Sequence, residues 1–185
     1  MSSDRKSPQA ATSRRALLKA IGAASLLTTV GGCSLFASGP SAGRVVVIGG
    51  GFGGATAAKY LKLGNPNLDV TLVEPKKQFH TCPFSNLHLA GELPMTAIAH
   101  GYDELRTQYN VRVIHALADD IDPVAHTVRL NNGSTLKYDK LVLSPGIEMR
   151  WNALEGYDPA AAQMAPHAWQ AGDQTVLLRR QLAAM

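Results

Sequence analysis

Arg44-Val45-Val46-Val47-Ile48-Gly49-Gly50-Gly51-Phe52-Gly53-Gly54-Ala55-Thr56-Ala57-Ala58 decides how the rest of the chain is read. Val45 to Ile48 are all β-branched, a side-chain type that crowds a helix but packs well in a strand covered on both faces. The run breaks at a glycine cluster and passes directly into alanines, which favour a helix. Gly49, Gly51 and Gly54 take the three fixed positions of the Gly-x-Gly-x-x-Gly pattern, and Gly53 joins them as a candidate cofactor-binding residue. In a strand, loop and helix of this kind the first glycine allows a tight turn. The second lets backbone approach a pyrophosphate, and the third lets the helix lie close on the strand. Phosphate charge then meets the free N–H groups and the positive end of the helix.

The segments that follow can be checked against this reading. A second apolar run, Val70-Thr71-Leu72-Val73, ends at Glu74, twenty residues after Gly54. At that spacing an acid accepts hydrogen bonds from both ribose hydroxyls and would repel a 2′-phosphate. Strand, glycines, helix, strand and acid fall in register, and together they predict a bound adenine dinucleotide. Further along, a helix is expected near residues 102 to 108 and a strand over Val111-Arg112-Val113-Ile114-His115. Two short strands, near residues 126 to 130 and 135 to 138, are joined by Asn131-Asn132-Gly133, which has hairpin chemistry. Lys140-Leu141-Val142-Leu143 then runs into Ser144-Pro145-Gly146. A β-meander followed by an apolar strand ending in a small residue and glycine resembles the FAD domain of the two-dinucleotide-binding flavoproteins. That resemblance implies FAD rather than NAD, with Ser144, Pro145 and Gly146 passing close to it. The predicted fold is α/β: a Rossmann-like FAD-binding domain over residues 43 to 185, with a parallel sheet and an inserted β-meander, expected to be incomplete.

Composition sets the outer limits. The chain has 185 residues, of which 45% are hydrophobic and 17% charged, which fits neither a disordered polyelectrolyte nor a membrane bundle. Its formal net charge of +4 lies wholly in residues 1 to 42, where Arg5, Lys6, Arg14, Arg15 and Lys19 face only Asp4. The body is neutral, so no nucleic-acid partner is expected. The leader reads as an address: Ser13-Arg14-Arg15-Ala16-Leu17-Leu18-Lys19 precedes an apolar segment, residues 20 to 30, that is too short to span a bilayer. It resembles a twin-arginine export signal and places the mature protein in the periplasm. Two processing routes stand open. Val30-Gly31-Gly32-Cys33 is a passable lipobox, making Cys33 a lipid anchor, whereas cleavage within residues 37 to 43 would discard it.

The segment Phe79-His80-Thr81-Cys82-Pro83-Phe84-Ser85-Asn86 follows the ribose acid. With the fingerprint, Tyr138-Asp139-Lys140 leading to Ser144-Pro145-Gly146, and Pro166-His167-Ala168-Trp169-Gln170-Ala171-Gly172, it resembles the flavoprotein subunit of flavocytochrome c sulfide dehydrogenase over residues 43 to 185. The resemblance implies an oxidoreductase that takes electrons from sulfide and passes them to a c-type cytochrome subunit. It also implies a covalent bond between Cys82 and the flavin 8α carbon, for which a thiolate is a competent nucleophile. From residue type alone Cys82 reads as a buried apolar cysteine, and it is the surrounding motif that turns the reading toward the flavin. The family's redox disulfide would lie beyond Met185, so no catalytic residue is assigned and the chain is expected to be part of a longer enzyme. Two alternatives remain: a sulfide:quinone oxidoreductase, or a flavin-binding module without turnover.

Other residues carry less. The six histidines share no metal-ligand spacing and no metal is expected; His80 reads as an ordinary loop histidine, with assistance to deprotonation of Cys82 as the alternative. Trp151 and Trp169 are read as packing residues, Asp119 and Asp120 as solvated loop acids, and Lys76 and Lys77 as a solvated pair that could also meet flavin phosphates or the cytochrome.

Overall fold

The run of β-branched residues forms β1 (Arg44–Ile48), one of the two inner strands of a four-stranded sheet. The structure is a computed structural model that describes residues 42–185, so the leader and Cys33 lie outside the described residues. β1 lies parallel to β2 (Asp69–Val73), with Arg44 opposite Asp69 and Ile48 opposite Val73. On its other side it lies parallel to β9 (Lys140–Leu143), and β2 in turn pairs with β5 (Arg112–Ile114). The order is β5-β2-β1-β9, all parallel.

Side chains alternate across a strand, so one apolar run feeds two cores. Val45 and Val47 pack with Val70 and Leu72 against Ala58, Tyr102, Leu105 and Val111. Val46 and Ile48 point the other way, with Val73, into Ala116, Val128, Leu130 and Tyr138. Helix α1 (Phe52–Gly64) covers the first face. The second is covered by the antiparallel meander β6 (Ala118–Asp122), β7 (Thr127–Leu130) and β8 (Thr135–Lys137). Both faces of β1 are therefore dry, as its lack of alternation predicts.

The hairpin expected at Asn131-Asn132-Gly133 joins β7 to β8. Gly133 has a φ of 83°, and the N–H of Ser134 donates to Asn132 Oδ1 at 3.0 Å. The meander has one strand more than expected, and this corrects the reading of Asp119 and Asp120. They lie on β6, not in a loop, and their carboxylates stand 2.7 and 3.9 Å from the guanidinium of Arg129 on the neighbouring strand. Cross-strand charge pairing offsets the poor strand preference of aspartate.

The remaining elements are short. β3 (Phe79–His80) and β4 (Ala99–His100) pair antiparallel, with helix α2 (Ser85–Ala90) and a 3-10 turn (Met95–Ile98) between them. Helix α3 (Asp103–Thr107) precedes β5, and α4 (Ala161–Met164) and α5 (Asp173–Ala183) follow β9. Among the described residues no helix is long and apolar enough to cross a membrane.

Candidate functional site

Close packing of backbone on backbone builds the glycine loop. Gly49 has a φ of 96°, in the left-handed region that other residues rarely adopt, and a Cβ there would strike the carbonyl of Ser144. A Cβ at Gly54 would strike the carbonyl of Gly49 and lie 3.3 Å from Val47 Cγ1. The first and third fingerprint glycines thus have the turn and close-packing roles the motif predicts. Gly51, the second, has its Cα face 3.3 Å from the edge of the Phe79 ring, measured from where a Cβ would stand. That ring meets Phe52 edge-on, with centroids 5.2 Å apart.

Ser144 and Pro145 close the loop from the β9 side. The N–H of Ser144 donates to the Ile48 carbonyl at 2.8 Å, which carries the β1–β9 ladder one residue past the strands. Ser144 Oγ stands 2.5 Å from where a Cβ on Gly53 would lie, and Pro145 Cα stands 3.1 Å from one on Gly49. Gly146 follows with a φ of 79° and open space around it. Five of the candidate cofactor residues, Gly49, Gly53, Gly54, Ser144 and Pro145, therefore form one packed unit at the carboxyl ends of β1 and β9.

Glu74 leaves the end of β2 and reaches the same loop. Its Oε2 accepts the N–H of Gly50 at 2.7 Å, and its Oε1 accepts the N–H of Lys76 at 2.9 Å. Carboxylate and glycine loop lie side by side, as the twenty-residue spacing requires. The start of α1 receives no side-chain capping bond and has no acid in its first turn. Its N–H groups and positive end remain available to an anion. A cradle formed by side-chain-free backbone, an uncapped helix start and an adjacent carboxylate fits the pyrophosphate and ribose of a dinucleotide. Beside the loop lies a cavity of about 280 Å³ bounded by Gly51, Phe52, Thr56, Phe79 and Tyr102. A second, of about 830 Å³, is bounded by Lys76, Lys77, His80, Arg106 and His115. Gly101 and Tyr102 line both.

Cys82 sits in the turn after β3, and it is exposed rather than buried. Its carbonyl accepts the N–H of Ser85 at 3.1 Å, opening α2, and Phe84 takes a left-handed φ of 71°. Phe79, three residues before Cys82, anchors the segment to Gly51 and Phe52. The sulfur itself makes no contact with the glycine loop that the structure records. His80 belongs to β3 and faces the larger cavity beside Lys76 and Lys77. Trp151 packs near Tyr157 and His167, while Trp169 is 46% exposed. Among the described residues no cluster of His, Cys, Asp or Glu could hold a metal.

Two residues that no motif marks matter here, Tyr102 at the loop and Lys62 at the far end of α1. Tyr102 is buried, and its hydroxyl donates to the Gly50 carbonyl at 3.1 Å. Burial, and secondarily the charge of Glu74, push that hydroxyl far above the ordinary tyrosine range, so it stays a donor. Lys62, on the buried side of α1, donates from Nζ to the carbonyls of Pro66 at 2.6 Å and Leu68 at 2.9 Å. It holds the turn that returns the chain into β2.

Comparison with known proteins places this geometry. The model of the pyridine nucleotide-disulphide oxidoreductase family matches residues 43–181. Over 43 residues the chain is 70% identical to the sulfide dehydrogenase (flavocytochrome c) flavoprotein chain of Chlorobaculum thiosulfatiphilum, covering 23% of this chain and 90% of that sequence. Over 128 residues it is 35% identical to the sulfide-quinone reductase of Aquifex aeolicus, covering 68% of this chain and 29% of the relative. The X-ray structure of the sulfide:quinone oxidoreductase from Aquifex aeolicus matches with a TM-score of 0.64 at 27% identity, over 76% of this chain and 32% of that one. The chain thus spans less than a third of the quinone-reducing relative's sequence. With its parallel sheet, glycine loop and inserted meander, the chain belongs to the pyridine nucleotide-disulphide oxidoreductase family and has the fold of that family's flavin-dependent oxidoreductases.

Proposed function

We propose that this chain binds FAD and is the flavin-binding part of an exported sulfide-oxidising flavoprotein whose electrons pass to a c-type cytochrome. One observation carries the cofactor reading: the Glu74 carboxylate lies against the glycine loop at the uncapped start of α1. The N–H groups of Gly51 and Phe52 would take the pyrophosphate, and Glu74 the adenosine ribose. Ser144, Pro145 and Gly146 would flank the cofactor from β9. The high identity to a sulfide dehydrogenase flavoprotein chain supports sulfide as donor and a cytochrome as partner. Bound FAD supplies two-electron acceptance from a donor and single-electron delivery to a haem. Cys82, exposed and three residues past the Phe79 that packs on Phe52, is the proposed attachment point for a covalent flavin.

The test is to supply FAD to the purified chain, record its visible spectrum with and without sulfide, and precipitate it in acid. Stoichiometric flavin absorbance supports the cofactor reading, and none at millimolar FAD overturns it. Yellow colour in the acid pellet supports the Cys82 bond, and its complete release to the supernatant refutes it. Export by the twin-arginine route predicts that replacing Arg14 and Arg15 by lysine keeps the protein in the cytoplasm. Continued appearance in the periplasm would refute that route.

The 35% identity to a sulfide-quinone reductase favours a second reading, in which a membrane quinone is the acceptor. Sulfide-driven reduction of cytochrome c against that of a soluble quinone, measured on the whole protein, separates the two.

A further inference from the structure

Gly50 occupies a position that the fingerprint leaves free, yet the structure gives it no room for a side chain. A Cβ there would stand 2.5 Å from the Tyr102 hydroxyl and 2.8 Å from Glu74 Cγ. Both ends of its backbone are engaged. Its N–H donates to Glu74 at 2.7 Å, and its carbonyl accepts from Tyr102 at 3.1 Å. Tyr102 comes from the start of α3, fifty-two residues away, so this brace links α3 to the loop only after the chain has folded.

We propose that Tyr102 is a positioning residue for the dinucleotide loop: through Gly50 it sets where the Glu74 carboxylate and the N–H groups of Gly51 and Phe52 stand. Its recorded hydrogen bond to the loop is to the Gly50 carbonyl. The geometry supports this on three counts. Tyr102 is 4% exposed and packed into the core with Val45, Leu72 and Leu105, so its hydroxyl has a fixed origin. The Gly50 carbonyl receives a donor away from solvent, and losing that donor would leave a buried acceptor unpaired. The Glu74 main chain is held as well. Arg106 Nη2 and His115 Nε2 are 2.9 Å apart, so Nε2 accepts and Nδ1 donates to the Glu74 carbonyl at 3.1 Å. Side chain and main chain of the ribose acid are thus located by separate contacts, and Tyr102 governs the one that includes the glycine loop.

The inference rests on the FAD reading for its effect on affinity, but the brace itself can be read without flavin. In the full 185-residue chain, Tyr102→Phe is expected to move the carbonyl-carbon and amide resonances of Gly50 while leaving far-UV circular dichroism unchanged. FAD affinity, followed by quenching of flavin fluorescence, is expected to fall about tenfold, on the scale of one buried acceptor left unpaired. In a Glu74→Ala background the same substitution should cost clearly less than in the parent, because the part of its effect that runs through the carboxylate is gone while the part that runs through the loop N–H groups remains. Gly50 resonances that do not move, or equal losses in the two backgrounds, would overturn the proposal. If the parent chain binds no FAD, the cofactor reading fails while the Gly50 resonances still decide the brace. If Tyr102→Phe does not fold, 3-fluorotyrosine at position 102 keeps the hydroxyl, makes it a stronger donor at the expense of one small ring substituent, and must still shift the Gly50 carbonyl, and an unmoved carbonyl refutes the brace.

Discussion

Asp139 holds Arg44 at two points. Its Oδ2 accepts the backbone N–H of Arg44 at 2.7 Å and its Oδ1 accepts the guanidinium at 2.8 Å. The N–H of Asp139 returns a bond to the Arg44 carbonyl at 2.9 Å. Because Asp139 immediately precedes β9 and Arg44 opens β1, this clasp sets the register in which the last parallel strand enters the sheet.

The clasp makes stability depend on acid. Hydrogen bonds from Arg44 hold the Asp139 carboxyl down to about 2, against an ordinary value of 3.8. A carboxyl depressed in the folded state contributes stability that is fully present above 3.8 and is lost as pH falls toward 2. Both side chains are nearly half exposed, so the effect is modest and weakened by salt. Asp139→Asn should lower Tm slightly at pH 6 and by clearly less at pH 2. Thermal melts of both proteins across that range check this, and a Tm difference that persists unchanged at pH 2 would count against it.

Gly53 and Ser144 should behave as a coupled pair. Gly53→Ala places a methyl against Ser144 Oγ, with the next contact, Ser144 Cβ, at 3.7 Å. The single change is expected to cost about 1 kcal/mol, the scale of forcing a side chain off its preferred rotamer. Adding Ser144→Ala should recover most of it, read from urea denaturation midpoints. Gly54→Ala has no such remedy, because the obstruction is the Gly49 carbonyl, and a loss above about 3 kcal/mol is expected.

Lys62→Met removes the ammonium that satisfies the Pro66 and Leu68 carbonyls. The stem is retained, so a loss of about 2 kcal/mol would reflect the charged hydrogen bonds rather than packing. Equilibrium unfolding of Lys62→Met beside Lys62→Ala separates the two contributions. A methionine variant as stable as the parent would assign Lys62 to packing alone.

Cys82 should react as an accessible thiol in the folded, flavin-free chain. With Cys33 replaced by alanine, one equivalent of a disulfide reagent should be consumed without denaturant, and none after Cys82→Ser. Slow reaction that needs denaturant would contradict the exposure seen here.

The path from sequence to site was open where the signal is local. Val45 to Ile48 announce a strand dry on both faces, and the spacing from Gly54 to Glu74 announces the acid beside the loop, because each depends on residues adjacent in the chain or in a repeating unit. Asp119 and Asp120 misled because aspartate disfavours strands and the compensating Arg129 comes from the next strand. Tyr102 and Lys62 were silent for a related reason. A lone tyrosine after a glycine, or a lysine within a helix, carries no pattern, and its role is created by carbonyls that fold next to it. Cys82 reads as buried from its type alone and as reactive from its motif, and only the turn after β3 separates the two.

The position of β9 at the sheet margin bears on how this chain behaves in concentrated solution. Among the described residues nothing pairs with its outer side, and Leu143 at its end is 59% exposed. A parallel strand reading Lys-Leu-Val-Leu, with a row of open backbone donors and acceptors, is a template for another molecule's backbone. Lys140 is the one charge on the strand to oppose that stacking. Neutralising Lys140 would therefore favour association through this margin without disturbing either core.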